Sequence, residues 1–103
     1  MKQTVHIYPG EILREDFMSP MGLSATRLSL ELRVPVSRMY DIIHERRGIT
    51  PDTVARLGRF FGNSAHFWMN LQNTYDLFKL EDELAEELSR IYLHLVAEPS
   101  IAK

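Results

Sequence analysis

Seven arginines between Pro20 and Phe60 are the side chains whose type and spacing best fit a chemical role. Four carboxylates accompany them, so the stretch carries a balance of +3 in a chain whose net charge is −2. A guanidinium offers a rigid fork of N–H donors that matches a phosphate group. The stretch therefore predicts contact with a polyanion; an ordinary solvated surface is the alternative. The seven are Arg27, Arg33, Arg38, Arg46, Arg47, Arg56 and Arg59.

The end of the chain carries the opposite charge. From Asp76 to Glu98, seven carboxylates stand against two cations, Lys79 and Arg90, a balance of −5. A basic middle and an acidic end predict two surfaces that meet different partners.

Residue types used in catalysis and metal binding lack the spacing that those roles need. The chain has no cysteine, so it has neither disulfides nor a thiolate zinc site. It also has no phosphate-binding glycine loop and no nucleophile elbow. We therefore expect no enzymatic activity, no cofactor and no metal. The histidines are scattered, with no i, i+4 pair, at His6, His44, His66 and His94.

Length and composition predict a single domain over residues 1–103. The hydrophobic fraction of 45% suffices for one core. No apolar run approaches the ~20 residues of a membrane-spanning helix, and the first residues lack the apolar segment of a secretory signal. We expect a soluble cytoplasmic protein with no membrane partner.

Apolar residues at helical spacing predict an all-α bundle of five to six helices preceded by an extended arm at 4–8. The first helix is expected to end at residues 19–22, and the fourth to begin with a hydroxyl cap from Thr50. The sixth, over residues 80–97, has a broad apolar stripe. The helices are expected to begin near Pro9, Ser24, Val36, Thr50, Ser64 and Leu80.

Residues 23–48 have the pattern of a helix-turn-helix. A capped helix is followed by a break at residues 33–35, a second short helix and an arginine-rich loop. Such a unit places its second helix in the major groove of DNA, while the first crosses the phosphate backbone. Met39, Ile42 and Ile43 form the inner side of this second helix, so its other side is expected to face outward.

The outward side of the second helix predicts base and phosphate contacts. Val36 fits a thymine methyl, Ser37 a base edge or phosphate, and Arg38 a guanine or phosphate. Asp41 accepts from a cytosine amino group or, where no cytosine is present, excludes other sequences. Arg46 and Arg47 would clamp phosphates. The candidate DNA-binding residues are Ser24, Arg27, Val36, Ser37, Arg38, Tyr40, Asp41, His44, Arg46 and Arg47.

Four strings resemble a known family. YPGEILREDF at 8–17 resembles the HPGEIL opening of HigA-type antitoxins, which belong to the lambda-repressor-like helix-turn-helix superfamily. VPVSR at 34–38 looks like the start of that family's recognition helix. RRGITPDT at 46–53 is similar to a family signature, and FWMNLQ at 67–72 resembles its FWLNLQ box. The resemblance covers residues 9–77 in the family's order.

The resemblance implies a lambda-repressor-like bundle and an antitoxin function. Such a protein neutralises a HigB/RelE-like ribonuclease toxin and, as a homodimer on palindromic operator DNA, represses its own operon. Residues 1–8 would then be an arm, 9–77 the DNA-binding bundle and 78–103 a carboxy-terminal helix and tail. Two alternatives stay open: a stand-alone repressor without a toxin, and a protein-binding adaptor that has lost DNA contact.

The chain departs from the family pattern at three positions. Tyr8 stands where histidine is frequent, and Ala25 where related repressors often carry a glutamine that contacts phosphate. Arg33 occupies a turn position where glycine is usual. Because an arginine at positive φ is strained, we expect this turn to be reshaped.

Two apolar features allow more than one interpretation. The adjacent Phe67 and Trp68 predict core packing, with Trp68 fastening the fifth helix to the fourth. The stripe of the last helix either closes its own bundle or forms a dimer seam or a surface for a basic partner. A ribonuclease presents cations to its RNA, so an acidic helix would complement it. The candidate interface residues are Leu84, Leu88, Ile91, Tyr92 and Leu95, with Val96 beside them.

Overall fold

The computed structural model describes residues 7–95, and the predicted all-α bundle is confirmed, since no strand occurs in this range. Residues 1–6, which include His6 and the first part of the predicted arm, lie outside the described residues, as do Val96 and the tail to 103. The elements are α1 (Pro9–Ile12), a π-helical turn (Leu13–Met18), α2 (Ser19–Met21), α3 (Ala25–Leu32), α4 (Val36–Ile43), α5 (Pro51–Phe61), α6 (Ala65–Glu83) and α7 (Ala85–Ser89).

The first helical segment ends where the sequence predicts. Ser19–Met21 forms its last turn, and Gly22, whose φ is 64°, closes the helix. Pro20 lies inside because the preceding turn widens: the Ser19 amide donates to the Arg14 carbonyl, an i to i−5 bond. Widening accommodates a proline ring that would crowd the carbonyl one α-helical turn earlier.

The helix-turn-helix keeps its standard turn. Ser24 caps α3, its Oγ accepting from the Arg27 amide at 3.0 Å, as predicted. Arg33 adopts φ 63°, so the expected reshaping is wrong. The Val34 amide donates to the Ser29 carbonyl at 3.0 Å, and the Arg56 guanidinium donates to the Leu32 carbonyl at 2.9 Å. These bonds offset a left-handed conformation that costs a non-glycine residue about 1–3 kcal/mol.

Gly10 brings the first helix directly against α4. A Cβ placed on Gly10 would overlap the carbonyl oxygen of Ile42. Gly10 is buried, and α1 packs on α4 at this point. Glycine is therefore required for the two backbones to meet.

The start of α5 differs in one detail from expectation. Thr50 occupies the N-cap position and Pro51 begins the helix, but the Thr50 hydroxyl makes no capping bond. The backbone closes the first turn, with the Val54 amide donating to the Thr50 carbonyl at 2.8 Å. The predicted hydroxyl cap is wrong; in the first turn of α5 the Asp52 carboxylate instead pairs with Arg38 and Arg56.

Trp68 lies at the centre of the core. It is fully buried, and its ring packs against Phe17 at 4.7 Å and Phe61 at 6.0 Å between centroids. Its indole Nε1 donates to Asn63 Oδ1 at 2.9 Å. The predicted core role is confirmed for Trp68, whose contact with Phe17 extends it to the first helical segment, but it is wrong for Phe67, which is 38% exposed.

The carboxy-terminal segment is organised differently from the predicted sixth helix. α6 continues unbroken to Glu83, Leu84 breaks the helix, and α7 ends at Ser89. Residues 90–95 are not helical. The predicted helix over 80–97 is therefore wrong in its start, in its continuity at Leu84 and in its extent beyond Ser89, although residues 80–83 and 85–89 are helical. The interpretation that its stripe closes the bundle is also wrong. Leu84 is 37% exposed and Ile91 68%, because no other element of the described chain covers them.

Candidate nucleic-acid interface

α4 has one buried side and one exposed side. Met39, Ile42 and Ile43 are buried, as the sequence predicts. Val36, Ser37 and Tyr40 are exposed on the other side. The exposed side is small and polar at its amino-terminal end, where the first amides of a helix lack partners within it. This arrangement suits a helix that enters the major groove.

The first helix of the unit contributes two exposed residues. Ser24 is exposed, although its hydroxyl already caps α3. Arg27 Nε pairs with Glu31 at 2.8 Å, and its side chain remains largely accessible. Surface pairs of this type are worth about 0–1 kcal/mol, so a phosphate can replace the carboxylate. Ala25, in contrast, is buried and packs in the core.

Arg38 does not point freely outward. Its side chain is 28% exposed, and its Nη1 donates to Asp52 Oδ2 at 2.7 Å and to Thr53 Oγ1 at 3.4 Å. Asp52 also accepts from Arg56 Nε at 3.0 Å. Hydrogen bonds from Arg56 and then Arg38 lower the pKa of Asp52 below its usual value. The expectation of a freely outward Arg38 is therefore wrong, since this carboxylate draws the guanidinium towards α5.

Asp41 and Arg46 form a pair at the end of α4. Arg46 Nη2 lies 3.2 Å from Asp41 Oδ1, and its Nε also donates to that oxygen at 3.3 Å. One carboxylate oxygen of Asp41 is thus already engaged. Asp41 orients Arg46 beside the helix, a role that the sequence did not predict.

Tyr40 and His44 stack one helical turn apart. Their ring centroids are 5.9 Å apart and the rings are nearly parallel, at 16°. His44 Nδ1 lies 2.8 Å from the Tyr40 carbonyl oxygen. A carbonyl can only accept, so Nδ1 carries the proton and Nε2 is the acceptor of the neutral ring. Both residues are exposed and lie on the same side of α4 as Val36 and Ser37.

The arginine loop, defined here as Arg46-Arg47-Gly48, follows α4 directly. Arg47 is exposed and directly follows Arg46 in the chain. Before the loop, Glu45 adopts a φ of 63° and Arg14 donates to the Ile43 carbonyl. The bond between Arg14 and Ile43 joins residues far apart in sequence, so local patterns could not reveal it.

Exposed apolar side chains also occur from the end of α6 through α7 and over residues 91–95. We call this set the carboxy-terminal apolar face, and every predicted interface residue within the described range belongs to it. Large exposed apolar surfaces mark interaction sites in soluble proteins. The acidic residues Glu81, Glu83, Glu86 and Glu87 flank it. The face comprises Leu77, Phe78, Leu80, Leu84, Leu88, Ile91, Tyr92, Leu93 and Leu95.

Among residues 7–95, no group of histidine, aspartate and glutamate side chains is arranged to hold a metal ion. In the same range, no helix combines the length and apolarity needed to span a bilayer.

Several known proteins are similar to this chain in sequence or in structure. No protein-family model matches the chain. Virulence-associated protein I of Dichelobacter nodosus is 52% identical over 77 residues, 75% of this chain and 71% of that protein. Antitoxin HigA-1 of Vibrio cholerae is 30% identical over 79 residues, 76% and 73% of the two chains. The solved structure of Pseudomonas aeruginosa antitoxin HigA with the higBA promoter has a TM-score of 0.86 at 39% identity, covering 88% of this chain and 100% of that one.

Proposed function

The chain belongs to the HigA family of helix-turn-helix antitoxins, and from this membership we propose that it binds operator DNA, represses its own operon and neutralises a toxin. It acts in the cytoplasm as the antitoxin of a type II toxin-antitoxin module. The observation that carries the proposal is the exposed side of α4, flanked by the arginine loop, in a chain 39% identical to a HigA solved with its promoter.

DNA recognition divides between α4 and its flanks. Val36, Ser37, Tyr40 and His44 face the base edges in the major groove. Arg46 and Arg47 contact phosphates at one end of the recognition helix. These charge contacts position the protein on the duplex without reading its sequence.

Phosphate contacts at the start of α3 and an indirect role for Arg38 complete the interface. Ser24 and Arg27 meet the backbone that the first helix of the unit crosses. Arg38, paired with Asp52 at 2.7 Å, reaches a base or phosphate by exchanging that partner. Asp41 supports Arg46 and disfavours sequences that bring an acceptor close to its carboxylate.

Dimerisation uses the carboxy-terminal apolar face. Two copies that bury Leu84, Leu88, Ile91, Tyr92 and Leu95 against each other remove these side chains from water. A twofold dimer presents two α4 helices, which matches a palindrome with half-sites roughly one DNA turn, ~34 Å, apart.

Toxin binding uses the acidic residues beside that face. A HigB/RelE-like ribonuclease presents cations to its RNA, and the carboxylates of Glu81, Glu83, Glu86 and Glu87 complement them. Electrostatic matching of this type raises the association rate and excludes other partners.

The proposal is tested with DNA from upstream of the gene and with the product of the neighbouring reading frame. A mobility-shift titration should show one dimer bound per palindrome; a monomer on an isolated half-site, or no preference over unrelated DNA, would contradict the DNA part. Co-expression should relieve growth arrest caused by the neighbouring protein. If it does not, while the operator is bound, the chain is a stand-alone repressor.

A further inference from the structure

Gln72 is a buried polar residue on α6 whose carboxamide bonds on both sides. Only 6% of the residue is exposed. Its Oε1 accepts from the Ile49 amide at 2.8 Å, and its Nε2 donates to Asp76 Oδ1 at 2.9 Å. Ile49 is itself buried, so without Gln72 its amide would have to find another partner or move towards water.

The same carboxamide packs against the end of the arginine loop. A Cβ placed on Gly48 would lie 2.9 Å from Gln72 Nε2 and 3.1 Å from its Oε1. The loop backbone therefore rests on the amide group of Gln72. Gly48, the last residue of the arginine loop, and Ile49, which follows it, are thus held by one side chain of α6.

The beginning of the loop is held by different groups. The Arg46 amide donates to the Asp41 carbonyl at 2.7 Å. Arg14 donates to the Ile43 carbonyl and lies 3.5 Å from the Glu45 carboxylate. Between these supports and Gln72 lie Arg46 and Arg47. Their backbone is thus fixed from the π-helical turn and α4 on one side and from α6 on the other.

We propose that Gln72 is a positioning residue for DNA binding: by holding Gly48 and Ile49, it sets the place of Arg46 and Arg47 against the phosphates. The inference rests on the proposed function and adds a residue that does not itself touch DNA. A phosphate contact depends on the position of its cation, so a displaced loop loses charge contacts while α4 keeps its fold. The salt dependence of binding counts such contacts, at about 0.9 per neutralised phosphate.

The test compares Gln72→Met with a control that weakens α6 packing elsewhere. Met has similar volume but cannot bond the Ile49 amide. Asn63→Ala removes the partner of Trp68 Nε1 at the other end of the α5–α6 contact. We expect Gln72→Met to bind the gene's upstream duplex about 10-fold more weakly and to flatten its log–log salt slope by about one to two units, whereas Asn63→Ala keeps the wild-type slope.

A rescue variant separates positioning from general stability. Gln72→Glu keeps an acceptor for the Ile49 amide but places a second carboxylate beside Asp76. Combining it with Asp76→Asn removes the repulsion, so we expect the double variant to recover the wild-type salt slope while Gln72→Glu alone does not.

Amide hydrogen exchange at Ile49 gives a readout that needs no DNA. Protection should be present in the wild type, lost in Gln72→Met and kept in Asn63→Ala. The inference would be overturned if Gln72→Met kept the wild-type salt slope of DNA binding. It would also be overturned if the Ile49 amide exchanged as fast in the wild type as in Gln72→Met. A wild type that does not bind the duplex would instead defeat the proposed function, while the exchange data still decide whether Gln72 holds the loop.

Discussion

The body of the molecule, residues 9–76, and its carboxy-terminal arm, residues 77–95, both carry apolar residues at helical spacing, but only the body buries them. On α5, Val54 and Leu57 are buried between neighbouring helices. In the arm, Leu84 and Leu88 follow the same periodicity and remain exposed. The sequence periodicity predicts that a helix has an apolar face. Only the folded structure shows whether another element of the same chain covers that face. Among residues 7–95, no element covers the apolar side chains of the arm, which is consistent with the proposed dimer.

Charge separates the two regions in the same way. Exposed arginines lie beside α4 in the body, whereas carboxylates flank the arm. The proposed function assigns a different partner to each region: DNA to the body and protein to the arm. The predictions below test this division, starting with the largest expected effect.

Core truncation should show the greatest contrast between body and arm. Trp68→Ala removes a fully buried indole and should lower the free energy of unfolding by about 3–5 kcal/mol. Tyr92→Ala, at a residue 88% exposed, should change it by under about 0.5 kcal/mol when the chain is monomeric. Urea denaturation at low protein concentration measures both. Equal losses would remove the distinction between the regions.

Removing most of the arm should separate association from folding. A chain truncated after Leu77 should keep its helical bundle and melting behaviour but dimerise at least 100-fold more weakly, about 2.7 kcal/mol. Analytical ultracentrifugation and circular dichroism measure the two properties. The boundary between residues 77 and 78 stays a prediction until this experiment; a truncated chain that dimerises like the full-length protein would place the dimer interface in the body.

Arginine substitutions should show which region meets DNA. Arg46→Ala combined with Arg47→Ala should flatten the salt slope of operator binding by about two units, since each phosphate contributes about 0.9. Arg90→Ala removes an exposed arginine of the arm and serves as the matched control, with no expected change in slope. Titrations at several salt concentrations provide the slopes. If Arg90→Ala flattened the slope instead, the arm would be in contact with DNA.

Arg38 gives a smaller effect because it starts from an internal pair. Arg38→Ala added to Arg47→Ala should weaken operator binding further, but by less than loss of an unpaired cation would, because Arg38 gives up its bond to Asp52 to reach DNA. Asp52→Asn is the complementary change: it removes the charge that pairs with Arg38, so the Arg38 guanidinium should be freer to reach DNA. An identical affinity for Arg47→Ala with and without Arg38→Ala would exclude Arg38 from the interface.

The smallest effect concerns the junction of body and arm. Tyr8 and Tyr75 lie 4.6 Å apart between ring centroids. A hydrogen bond with Tyr8, followed by burial, raises the pKa of Tyr75 to about 12. The neutral phenol is thus favoured in the folded state, and its contribution to stability, complete below the unfolded pKa of about 10, is lost as the pH rises towards 12. Ultraviolet titration of phenolate absorbance should show this late ionisation move to lower pH in Tyr8→Phe; an unmoved transition would exclude Tyr8 as its cause.

Local signals in the sequence predicted the local structure well. The Ser24 and Ser64 caps both make their expected bonds, and Trp68 occupies the core. The helical unit around residues 23–48 also has the expected order. The two caps depend on residues within one turn of each other, and the order of the helices follows from the local apolar spacing.

The features that sequence reasoning missed depend on distant residues. Arg38 meets Asp52 fourteen positions away, and Ile49 meets Gln72 twenty-three positions away. The left-handed conformation of Arg33 is likewise supported by Arg56 from another helix. No local pattern indicates such pairings, because they exist only once the helices have packed.

The meeting of α1 and α4 at Gly10 has a consequence for tolerated sequence variation. In a mutational scan scored by repression, position 10 should be as intolerant as Leu57, although it contributes no side chain of its own. Even alanine there would place a methyl group between the two backbones. We expect this to tilt the recognition helix α4 away from the DNA groove. The loss of variants at position 10 from the scan would therefore report the lack of space between the two helix backbones. The hydrophobicity of the substituted residue would not predict this loss.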